Sequence, residues 1–101
     1  MMVVFQPFAY ARLLEILDYV TEHQGAEQAE ALAERIVNRA LELGMHPRLG
    51  AVEYLINDPE QEYRRLVEGH YKIIYWISAR DVRIADIFDS RRDPSDMLRR
   101  P

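Results

Sequence analysis

Seven residues in the second half of the chain, Tyr71-Lys72-Ile73-Ile74-Tyr75-Trp76-Ile77, constrain the fold more than any other stretch. Tyr71, Ile73, Tyr75 and Ile77 alternate with Lys72, Ile74, Trp76 and Ser78, so both faces of an extended segment are substantially apolar. That pattern predicts a central strand covered on both sides. Its neighbours can be read from the turns around it. Tyr63–Val67 precedes it across Gly69-His70, a two-residue connection whose leading glycine suits a type II′ hairpin. Ala79-Arg80-Asp81 then turns the chain into Val82–Phe88, which completes a three-stranded meander.

The first half reads as helical. Val3-Val4-Phe5 predicts a short strand that stops before Pro7, a residue suited to the first turn of a helix because its missing N–H needs no partner there. A helix is expected from Phe8 to His23, with Tyr10, Leu13, Ile16, Leu17 and Val20 on its buried face. Gly25 can close it. A second helix is expected from Ala26 to Leu43, with a stripe formed by Ala29, Leu32, Ala33, Ile36, Val37, Ala40 and Leu43. Glu27 and Glu30 favour its positive end, and Gly44 and Pro47 stop it. Two helices joined by so short a turn lie antiparallel and present one apolar surface. Pro47–Gly50 reads as a loop, Val52–Ile56 as a further strand, and Pro94–Pro101 as a polar tail, loose at its end.

With 101 residues the chain is expected to form one small domain spanning 1–101. It has no cysteine, which fits a reducing cytoplasm. No segment has the length of a membrane span, and the N-terminal apolar run is too short for a signal-peptide core. The net charge of −4 conceals a division: residues 1–62 sum to −7 and residues 63–101 to +3. A polyanion would be repelled by the helical half and admitted, at best, by the sheet half.

The cations that could carry function are therefore Arg64, Arg65, Lys72, Arg83, Arg91 and Arg92. Arg64 and Arg65 are adjacent on a strand and must point to opposite faces, so only one can share the helix-packed side. Arg91 and Arg92 follow the last strand, where exposed residues can converge on a ligand. The alternative is a solvated face with ordinary ion pairs to Asp86, Asp89 and Asp93. His23, His46 and His70 lack the spacing of metal ligands, so no metal site is expected. His70, in a turn beside a basic strand, could transfer a proton near neutral pH. Tyr71, Tyr75 and Trp76 could stack on bases but fit a core better. No nucleotide-cradling glycine loop or nucleophile triad is present, and no cofactor is expected.

The order of two helices, Pro47-Arg48-Leu49-Gly50, Tyr63-Arg64-Arg65-Leu66, Tyr71-Lys72-Ile73-Ile74-Tyr75 and Asp89-Ser90-Arg91-Arg92 resembles the RelE/ParE superfamily of bacterial type II toxin–antitoxin toxins, from about Val3 to Asp96. The resemblance implies an α+β fold, with an antiparallel helical hairpin packed on one face of a small curved antiparallel sheet. It implies a toxin neutralised by a cognate antitoxin protein. RelE-like members cut mRNA on the ribosome, whereas ParE-like members inhibit DNA gyrase by protein binding.

Lys72 falls where RelE-like nucleases place a basic group on the central strand, and Arg92 matches their basic residue after the last strand. Where those nucleases carry a terminal tyrosine, this chain has Leu98 or Met97, and Leu66 replaces a second strand lysine. Neither tyrosine nor histidine follows Tyr75. Metal-free RNA cleavage needs an acid and a base as well as cations. The expectation is thus a ParE-like gyrase inhibitor in the cytoplasm, with a target surface at Arg83, Arg91 and Arg92. The alternative is a ribosome-dependent endoribonuclease using Arg64, Lys72 and Arg92, with His70 for proton transfer. A third reading is a non-toxic descendant that keeps only the fold and the antitoxin contact.

Overall fold

The computed structural model describes residues 1–99. Its elements are β1 (Met2–Phe5), α1 (Pro7–Gln24), α2 (Ala26–Leu41), β2 (Ala51–Val52), β3 (Arg64–Glu68), β4 (Tyr71–Ile77) and β5 (Asp81–Asp89). The five strands form one sheet in the order β1-β5-β4-β3-β2. β4 is central, as its two-sided apolar pattern requires. The β2–β3, β3–β4 and β4–β5 pairs are antiparallel. β1 lies parallel to β5 at the edge, so the sheet is mixed rather than wholly antiparallel.

Gly25 is the whole connection between the helices. Its φ of 97° is open to a residue without Cβ, and its N–H is satisfied by the Thr21 carbonyl at 3.0 Å. Pro7 occupies the first turn of α1. The expected end of the second helix at Leu43 is corrected: the α-helix stops at Leu41, and residues Glu42–Gly44 tighten into a 3₁₀ turn that still buries Leu43. Tyr10 is also corrected. It is exposed, and the buried face of α1 runs instead through Ala9, Arg12, Leu13 and Val20.

The helices cover one face of the sheet. Leu13, Val20, Leu32, Ile36 and Leu43 pack there against Leu66, Ile73, Tyr75, Ile84 and Ile87. Ile84 and Ile87 can share this face because β5 carries a bulge: Tyr75 pairs with Ile84 and Ile74 with Asp86, leaving Ala85 as the extra residue. Without it, strict alternation would turn Asp86 into the helix-facing core. The bulge places Asp86 opposite Ile74, on the other face.

That second face is covered by loop and tail. Ile74, Phe88 and Met97 form a cluster bordered by Ile56, Tyr63 and Leu98. The polar tail is attached over 94–99, because apolar surface on β4 and β5 draws Met97 in; the end expected to be loose, residues 100 and 101, lies outside the described residues. The strand expected over Val52–Ile56 is shortened to Ala51–Val52. Glu53 ends it: its N–H still joins the Tyr63 carbonyl at 2.9 Å, but its buried carboxylate accepts from the Leu55 N–H and turns the chain.

The β3–β4 turn follows the glycine expectation. Gly69 has φ 59° and His70 is not in the positive-φ region, the combination of a type II′ turn.

Candidate functional site

β1 leaves β5 after Ile84, and the remainder of β5 borders a cleft. Arg12, Glu15, Ile16, Tyr19, Tyr71, Ile87, Phe88, Asp89, Arg91 and Arg92 line a volume of about 270 Å³. Ile16, Ile87 and Phe88 supply its apolar part. The two tyrosines and three guanidinium groups supply polar donors. Burial, and secondarily the Asp89 carboxylate, raise the Tyr71 phenol, so it remains a donor.

Arg91 and Arg92 are brought to this cleft by the turn that ends β5. The Ser90 N–H joins the His70 carbonyl at 2.8 Å, and the Arg92 N–H joins the Asp89 carbonyl at 3.0 Å. Arg91 then folds back on Asp89 through Nε at 3.0 Å and Nη2 at 2.8 Å. This fork holds the Asp89 carboxyl below the usual carboxylate range. Arg92 is about half exposed, and its Nη2 lies 3.7 Å from Asp96, too far for a hydrogen bond. It is the looser cation of the two.

Arg83 is elsewhere. Six residues of extended strand, about 20 Å, separate it from Asp89. Its Nε is 3.0 Å from Asp81, and its guanidinium stands 5.5 Å from the centre of the Trp76 ring. Ser78 and Arg83 together lower the Asp81 carboxyl. The expected target cations thus divide into one pair at the cleft and one residue at the opposite end of β5.

The cations of the nuclease alternative are also dispersed. Arg64 pairs across the sheet with Tyr75 and lies on the helix side, where Nη1 donates to the Gly50 carbonyl at 2.8 Å and Nε meets Glu62 at 3.2 Å. Lys72 pairs with Phe88 on the other side. Its Nζ is 2.9 Å from Glu53, a carboxylate only 3% exposed. Arg65 reaches the same carboxylate at 3.9 Å and donates to the Val52 carbonyl at 2.6 Å. Arg92 lies beyond the end of β5. His70 is exposed in its turn, with its ring tilted against Tyr71 at a centroid distance of 4.4 Å. Arg64 and Lys72 therefore stand on opposite faces of the sheet, and both are engaged in holding loops.

The sequence did not show the partners of several residues important to this architecture. Tyr75 donates its hydroxyl hydrogen to the Pro47 carbonyl at 2.8 Å and accepts the Gly50 N–H at 2.9 Å, so the central strand fixes the Pro47–Gly50 loop. A Cβ on Gly50 would lie 2.3 Å from the Arg65 carbonyl oxygen, so any larger residue forces the backbone there to shift. Arg12 and Asp86 form a buried pair, Nε to Oδ1 at 3.0 Å. The available signal was position: Arg12 follows Ala9 by three residues and precedes Ile16 by four, which puts a charge on an apolar helix face and demands a buried partner.

Comparison with known proteins agrees with this architecture. The family model described as the ParE toxin of the type II toxin–antitoxin system, parDE, matches residues 3–94. A solved structure of a chromosomal ParDE toxin–antitoxin system from P. aeruginosa superposes with a TM-score of 0.74 at 21% identity, covering 88% of this chain and 95% of that one. At that identity it supports the fold. No curated protein matches the chain. The family match covers nearly all of the described residues, and the chain belongs to the ParE toxin family of type II toxin–antitoxin systems.

Proposed function

We propose that this toxin acts by binding a protein, DNA gyrase, through the surface at the end of β5 that carries Arg91 and Arg92, with Arg83 as a more distant contact. The observation that carries the choice is the state of Lys72. Its ammonium is neutralised by the buried Glu53 carboxylate at 2.9 Å. A phosphorane-like transition state would need that charge free and convergent with others. Arg64 instead lies on the opposite face, bound to Gly50. A protein target makes no such demand, because charged and apolar groups spread over an interface act together.

A cognate antitoxin is the second partner in this reading, in line with the ParDE system that the fold resembles. Tyr10 and Leu14, one turn apart on α1, are exposed at 55% and 44% and offer an amphipathic segment an apolar ridge. Among the described residues no helix is long and apolar enough to cross a membrane. We place the protein in the cytoplasm, where gyrase works.

The test is induction without the antitoxin, followed by assay of plasmid supercoiling and of bulk mRNA. Relaxed plasmid with intact mRNA is expected. Normal supercoiling with rapid mRNA loss would overturn the proposal in favour of the nuclease.

A further inference from the structure

Residues 93–99 return to the sheet and are held by a network that the toxin reading does not use. Asp86 is fully buried. Its Oδ1 accepts from Arg12 Nε at 3.0 Å, and its Oδ2 accepts from Arg12 Nη2 at 3.3 Å and from the Leu98 N–H at 2.8 Å. Arg12, 7% exposed, also gives Nη2 to the Asp96 carbonyl at 3.0 Å. One guanidinium and one carboxylate thereby hold two points of the tail. Between those points Met97 enters the cluster of Ile74 and Phe88.

The segment itself has little internal structure. It contains one 3₁₀ turn, Pro94–Asp96, begun by Asp93 accepting the Ser95 N–H at 3.0 Å. Leu98 has a φ of 62°, the left-handed region that disfavours a residue with Cβ. A strained, short segment tied at a few points opens at lower free energy than the ladder beneath it.

We propose that residues 93–99 form a releasable strap, latched by Arg12 and Asp86, which covers an apolar face of β4 and β5 and opens without unfolding the sheet. Opening exposes Ile74 and Phe88. It also separates Arg92 from Asp96 and returns one Arg12 donor to the cleft that both arginines line, so strap closure and cleft occupancy draw on the same groups.

Amide hydrogen exchange on the full-length chain tests this, whatever the toxin's target. The Leu98 amide should be protected yet exchange at least about ten-fold faster than the Ile73 amide of β4. Met97→Ala, which leaves the ion pair intact, should accelerate Leu98 about ten-fold further and leave Ile73 unchanged. Asp86→Asn should do the same, because an amide keeps only one acceptor oxygen for donors that now use two, and if that variant does not fold, Met97→Ala decides. Equal exchange of Leu98 and Ile73 in the wild type, or equal acceleration of both by Met97→Ala, would show that the tail belongs to the cooperative core and overturn the strap.

Discussion

The ammonium of Lys72 lies 2.9 Å from the carboxylate of Glu53, and that carboxylate is almost wholly withdrawn from solvent. A buried acid with a single close cation stabilises chiefly by making its own burial tolerable. Removing one partner leaves the other stranded. Lys72→Ala should therefore destabilise the fold by about 2–4 kcal/mol, with Arg65 offering partial compensation. The double variant Lys72→Met with Glu53→Gln should lose less than Lys72→Ala alone. Urea unfolding measures these alongside Lys72→Met and Glu53→Gln made singly, and strict additivity of those two single changes in the double variant would show that the pair is uncoupled.

Tyr75 and Gly50 make a second testable unit. The Tyr75 hydroxyl serves two backbone groups of the Pro47–Gly50 loop, so Tyr75→Phe leaves the Gly50 N–H and the Pro47 carbonyl unserved at a cost of about 1–3 kcal/mol. Gly50→Ala is expected to cost more, because its Cβ would meet backbone, which cannot swing aside as a flexible side chain does. Thermal unfolding should rank wild type above Tyr75→Phe and Tyr75→Phe above Gly50→Ala; the reverse order of the two variants would mean that the loop can move off β3.

The carboxyls of β5 should titrate in opposite directions. Burial raises Asp86 above the usual carboxylate range even though Arg12 and the Leu98 N–H favour its charge. Asp89, hydrogen-bonded by Arg91, is lowered. For Asp89 the folded chain binds fewer protons than the unfolded one, so its contribution is complete above about pH 3.9 and is lost as pH falls through the depressed value. For Asp86 the sign reverses: its contribution is complete below about pH 3.9 and is lost as pH rises through the elevated value. Carboxyl resonances followed by NMR should show the Asp86 midpoint above that of Asp89, and Asp89→Asn should flatten only the acid limb of the stability profile. Coincident midpoints would contradict this assignment.

What could be read from the sequence was governed by periodicity. β4 declared itself because both alternating sets were apolar, and the helices because their apolar residues recur at three and four. The bulge at Ala85 leaves no such trace: strict alternation from Val82 assigns Asp86 and Phe88 to the helix side, whereas the structure puts Ile87 there. The parallel docking of β1 depends on tertiary packing of four residues too few to show a pattern. The tail looked polar, and only the pair Met97-Leu98, set between Asp96 and Arg99, marks its attachment. For the site, Arg91 and Arg92 were visible as cations after a strand. The pairing of Lys72 with Glu53 was not, since nineteen residues and a loop separate them.

The Lys72 and Arg92 positions separate the two modes of action in one experiment. Both are the cations that a RelE-like nuclease would use, but the structure commits Lys72 to Glu53 and leaves Arg92 half exposed beside the cleft. If the toxin binds gyrase through the end of β5, Arg92→Glu should weaken inhibition of supercoiling by about ten-fold or more, since arginines at the centre of interfaces carry much of the affinity. Arg83→Glu should weaken it less, because that side chain is already engaged by Asp81 and Trp76 and stands at the far end of the strand. Lys72→Met combined with Glu53→Gln should leave inhibition near wild type, because neither group faces the cleft. Circular dichroism and an intact antitoxin complex would establish that each variant is folded. Loss of toxicity in the Lys72 and Glu53 double variant with retention in Arg92→Glu would invert the expected order and return the far face of β4 to consideration as the working surface.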